Sequence, residues 1–144
     1  TETTGEVART QLRAVRTAQR LSLREVSERV TAMGHDLSLS AVSKIENGTR
    51  RMDVDDLTAL AAALGVAPPT LLLPNAEEVH DELSITGARG SAEAMWAWVT
   101  GQQQLPGADD AVTMNFVQHA FPGWYRREMA AKTREWLDRN RKAD

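Results

Sequence analysis

The chain has 144 residues and 42% hydrophobic content, enough for one domain with a sizeable extension or for two small ones. It holds no cysteine, which excludes disulfides and thiolate metal sites, and no run of about 18 apolar residues, which excludes a membrane-spanning helix. Net charge is −3 but unevenly spread: residues 1–74 carry nine Lys/Arg against nine Asp/Glu, residues 75–110 one against seven, and residues 111–144 seven against four. The acidity is therefore concentrated in the middle, and the first part of the chain can still present a basic face. Residues 1–20 are studded with arginine and lack an apolar core, so no signal peptide is read there and a cytoplasmic location is expected.

The first expected helix covers residues 6–20, with Ala8, Leu12 and Val15 on its apolar stripe. Arg9, Arg13, Arg16 and Arg20 recur at spacings of four, three and four and so share one face. That row is either a solvated charged face or a source of phosphate contacts. A second helix spans residues 22–33. Ser22 and Glu25 form a capping box, Leu23, Val26, Val30 and Met33 form the buried stripe, and Gly34 ends it. His35, Asp36 and Leu37 make a connecting loop.

A short helix follows, capped by Ser38 and closed at Gly48, which supplies a left-handed residue. Val42 and Ile45 point inward, and Ala41 is small enough for close helix approach. Leu39, Ser40, Ser43 and Lys44 are left facing outward. Thr49, Arg50 and Arg51 form a basic loop. Asp53 caps a fourth helix with Val54, Leu57, Leu60, Ala61 and Leu64 as its stripe and Gly65 as its end. Pro68 or Pro69 opens a fifth, through Leu71, Leu72 and Leu73, and Pro74 closes the unit.

The order of these elements, with Leu12, Arg16, Leu23 to Ser27, Ser38 to Gly48, Leu57, Leu60 to Val66 and Leu71-Leu72, resembles the helix-turn-helix domain of the phage-repressor and Cro family, the XRE-type regulators. The resemblance covers residues 6–74, about half of the chain. It implies a five-helix, lambda-repressor-like fold and a double-stranded DNA partner, with helix 39–46 in the major groove. Transferred residue by residue, the base-reading positions are Leu39, Ser40, Ser43 and Lys44. Lys44 can donate to guanine, and Leu39, where the family commonly has a polar residue, meets a thymine methyl or packs inward. The implied backbone contacts are Ser38, Asn47, Thr49, Arg50, Arg51 and Arg13. Leu23 stands where many relatives hold phosphate with glutamine, so that contact is not carried over. Arg16 and Glu46 match a family ion pair joining the first and third helices. The connection over residues 31–37 is longer than in the compact phage proteins.

Residues 75–90 read as an acidic linker with one short strand at Leu83 to Thr86, and Gly87 and Gly90 bracket a turn. Residues 91–144 read as a small helical region. Ser91 caps a helix over residues 92–99, Asp109 or Asp110 caps another bearing Val112, Phe116, Val117 and Ala120, and Pro122 begins a last one to about Asn140. All seven aromatic residues lie in this region, from Trp96 onward. Trp124, Tyr125, Met129 and Trp136 mark either a small core or a dimer or partner surface. A single helix-turn-helix offers few base contacts, so a homodimer on a palindromic operator is expected, with room for a small-molecule or protein effector.

Other chemistry is thinly represented. Glu77 and His80 give one Glu-x-x-His spacing, whereas di-iron bundles need two and more carboxylates, so neither metal nor cofactor is expected. Some repressors of the resembling family carry a self-cleaving Ser/Lys peptidase domain. The tail is too short for one, and Ser91 is its only serine beyond the linker, so no enzyme is expected. The rival to a transcription regulator is an antitoxin or protein-interaction module, in which the aromatic tail holds a protein partner.

Overall fold

A computed structural model of the chain describes residues 2–141. The first helix, α1 (Thr4–Ala18), starts and stops two residues earlier than the sequence suggests. Thr3 and Glu6 explain the start: the Thr3 hydroxyl accepts from the Glu6 amide, and the Glu6 carboxylate accepts from the Thr3 amide. Beyond the helix Arg20 adopts a left-handed φ of 57°, so it drops out of the expected arginine row.

Ser22 and Glu25 form the expected capping box on α2 (Leu23–Ala32). Val26 and Val30 are fully buried, but Met33 is 56% exposed, against expectation. It is the C-cap, past the last helical turn, where helical spacing no longer sets side-chain direction. The extra length of residues 33–38 goes into the loop rather than the helix. Leu37 in that loop folds back into the core, and its carbonyl accepts from Ser27 Oγ at 2.7 Å.

Next come α3 (Leu39–Asn47), α4 (Val54–Leu64) and α5 (Pro68–Leu72). Leu60, Ala61 and Leu64 of α4 are buried, whereas Val54, at its first position, is 76% exposed and leaves the expected stripe. α1 packs on α3, α4 and α5, and α2 packs on α3 and α4. Their shared core contains Leu12, Val26, Val30, Leu37, Val42, Ile45, Leu60 and Leu71. Each fully buried aliphatic side chain contributes about 1.5–3 kcal/mol. A nine-residue helix such as α3 is too short to be stable alone, so this burial holds it.

The segment expected as a linker with one strand forms a hairpin of two, β1 (Glu82–Ile85) and β2 (Ala88–Ser91). Leu83 pairs with Gly90 and Ile85 with Ala88, and Gly87, at φ 76°, makes the turn. Ser91 then caps α6 (Ala92–Val99) as expected. Leu83, Ile85, Ala88 and Met95 form a second core with Val7 of α1 and Leu73 after α5. Polar ties reinforce the contact. Thr4 and Thr86 exchange amide-to-hydroxyl bonds at 3.1 and 3.2 Å, and Gln11 Nε2 donates to Asn75 Oδ1 at 3.0 Å. The last helices are α7 (Asp110–His119), capped by Asp109, and α8 (Gly123–Arg141). Neither buries a single residue, so the small helical core open as one reading of the tail is not formed by α7 and α8. Phe116, Phe121, Tyr125 and Trp124 instead make a chain of edge-on and stacked rings on the surface.

Candidate nucleic-acid interface

The site is built on α3, whose two faces have opposite environments. Val42 and Ile45 are buried at 0% and 1% exposure, while Leu39, Ser40 and Lys44 are exposed and Ser43 is half-buried. Leu39, at 38% exposure, does not pack inward, which leaves its methyl groups on the outer face. Ser38 caps the helix by accepting from the Ala41 amide at 3.1 Å, and its own O–H remains a donor. The first turn holds no acidic residue, so the helix N-terminus keeps its partial positive charge toward an approaching anion.

Two contacts from α1 fix the other end. Arg16 Nε and Nη2 donate to the two carboxylate oxygens of Glu46 at 2.6 and 2.9 Å. Arg16 Nη1 also donates to the Leu21 carbonyl at 2.8 Å. The pair is mostly buried, at 13% and 7% side-chain exposure. Hydrogen bonding to Glu46 pushes the Arg16 pKa up, partly opposed by burial. Arg9 lies against Gly48: a Cβ there would sit 2.9 Å from Arg9 Nη1, and φ is 82°. The left-handed φ favours glycine at this helix end, and a Cβ there would also push the Arg9 guanidinium aside. Arg13 shares the face of Arg9 and Arg16 on α1 and is exposed.

The loop after α3 is organised by its own side chains. Asn47 Oδ1 accepts from the Thr49 amide at 3.0 Å and from the Thr49 hydroxyl at 2.7 Å. The Asn47 amide nitrogen makes no hydrogen bond among the described residues and is a candidate phosphate donor. Arg51 is exposed, but Arg50 is partly committed, with Nη2 lying 3.4 Å from Asp56 Oδ2.

Asp56 is the residue sequence reasoning missed. Only 1% exposed, it accepts from the Asp53 amide at 3.2 Å, contacts Arg50, and meets His35 Nε2 at 2.8 Å. One carboxylate thus ties the loop before α3 to the loop after it. Half of the signal was visible, because Asp53 and Asp56 have the spacing of a capping box. The contacts to His35 and Arg50 depend on tertiary folding. Arg9 belongs to the row of arginines on α1, and nothing local in the sequence places it on Gly48.

The tail residues expected as a dimer or partner surface are all exposed: Trp124 57%, Tyr125 38%, Met129 44% and Trp136 57%.

Residues 8–73 match the model of a family described as a helix-turn-helix domain, a span that runs from α1 past the end of α5. The match supports a DNA-binding domain of the helix-turn-helix class over those residues and suggests a DNA-binding regulator. No curated protein and no solved structure matches the chain. Among the described residues, no helix is long and apolar enough to cross a membrane.

Proposed function

We propose that the chain is a cytoplasmic, XRE-type, sequence-specific regulator of transcription that binds a palindromic operator as a dimer and is not an enzyme. The observation that carries this reading is the rigidly held outer face of α3, which offers Leu39, Ser40, Ser43 and Lys44 to base edges while its inner face is buried. Ser38, Asn47, Thr49, Arg50, Arg51 and Arg13 grip the backbone and set the register. Arg16 and Glu46 hold the helix without touching DNA.

The reading is tested by anisotropy titration of labelled duplexes at several salt concentrations. Affinity for a selected duplex is expected to fall steeply with salt through counterion release, and to exceed affinity for random duplex by about a thousandfold or more. Equal affinity for both would contradict it. The exposed tail favours a second reading, in which the same fold is an antitoxin or protein-interaction module that grips a protein partner. Under that reading duplex binding is weak and indifferent to sequence.

A further inference from the structure

We propose that α8 of one chain docks on the acidic cleft between α5 and α6 of a second copy, reciprocally. The proposal rests on the dimer reading above and adds the surface that receives the tail.

A cleft of about 490 Å³ opens beside Leu73, Leu83 and Trp96, and Glu77, Glu78 and Glu93 line it as well. Its floor belongs to the second core and its rim is acidic. Trp96 is 44% exposed. None of the three carboxylates takes part in an ion pair among the described residues.

The α8 helix is complementary to this surface. Tyr125, Met129, Lys132, Trp136 and Arg139 follow at spacings of four, three, four and three, so they line one face. All five are exposed, and Lys132 and Arg139 also make no ion pair among the described residues. The face thus combines three large apolar or aromatic side chains with two unneutralised cations. Pairing α8 with a second α8 sets like charges together, because the helix carries six basic residues against three acidic ones. Docking on the cleft sets that helix against Glu77, Glu78 and Glu93, with no basic residue in the cleft lining. Charge complementarity therefore favours the cleft over self-pairing. Two reciprocal contacts close a twofold pair, with the same surface used on both chains.

The test uses the full chain and sedimentation equilibrium at low and high salt. One variant reverses the cleft (Glu77→Lys, Glu78→Lys, Glu93→Lys) and another reverses the helix face (Lys132→Glu, Arg139→Glu). All five positions are exposed, and circular dichroism checks that each variant folds. The wild-type dimer should weaken with salt, and each variant alone should dissociate about tenfold or more easily. A mixture of the two restores opposite charges at both contacts and should re-form a dimer of near wild-type strength. A dimer insensitive to both reversals overturns the cleft assignment and leaves the dimer reading standing. A wild-type chain that stays monomeric, with the tail docked on its own cleft or on nothing, overturns both. Failure of the mixture to re-form a dimer also overturns the proposal.

Discussion

Replacing Glu46 with alanine removes both acceptors of the Arg16 guanidinium, and the consequence follows from the geometry around it. Arg16 keeps only its bond to the Leu21 carbonyl at 2.8 Å, and its side chain is 13% exposed, so water restores little. Breaking one partner of a buried pair costs about 3–5 kcal/mol; partial exposure and the retained bond place this site near 3 kcal/mol. For a cooperative unit of this size that is roughly 10 °C in Tm. The assay is thermal unfolding by circular dichroism, run beside a double variant, Arg16→Met with Glu46→Leu. Replacing both charges with apolar groups of similar size removes the stranded cation, so the double variant should melt closer to wild type than Glu46→Ala does. A Glu46→Ala protein that melts at the wild-type temperature would refute the claim that this pair fastens α3 to α1.

Lys44→Ala should relax base preference at one operator position, costing about 1–3 kcal/mol if Lys44 makes a two-point contact to guanine; sequence selection with the variant reads this out. Arg51→Ala should weaken all duplexes alike and reduce the salt slope by about one, with unchanged Tm. Arg50→Ala should lower affinity and also stability, by about 1 kcal/mol, because Asp56 is 1% exposed and loses a cationic neighbour. The Glu25 carboxylate is held below the ordinary carboxylate range by the Ser22 amide and hydroxyl. Its folded pKa is depressed, so the stability it contributes is present above about pH 4.5 and is lost as pH falls through the lowered value. Glu25→Gln should flatten the acid limb of a stability-versus-pH curve and change nothing in its slope near neutrality.

Helix caps were the most legible features. Ser22 with Glu25, Ser38, Gly48, Asp53 and Ser91 act within a few residues of themselves, so local chemistry suffices to place them. Periodicity failed where helices end. Met33 and Val54 continue an apolar stripe on paper but sit at a C-cap and a first position, where no neighbouring element covers them. Leu37 is the reverse case, a loop residue with no periodic partner that is fully buried because the loop folds over the core. The second strand is not legible in the sequence because Ala88, Arg89, Gly90 and Ser91 include no β-branched or aromatic residue; pairing with β1 makes them a strand. The outer face of α3 followed from spacing alone. The Asp56 contacts did not, since His35 and Asp56 lie 21 residues apart and meet only in the folded chain. In the tail the aromatic residues were visible in sequence. That Trp124, Tyr125 and Trp136 are exposed while Trp98 packs on the second core was not, because composition does not distinguish a core from an interface.

Selection of bound fragments from a random duplex library, run with the wild-type chain and with Lys44→Ala, tests the role of α3 most directly. The expected result is one enriched twofold motif, with half-sites about one helical turn or a multiple of it apart, that loses preference at one position per half-site in the variant. No enrichment, or an identical motif from both proteins, would contradict base reading by this face of α3.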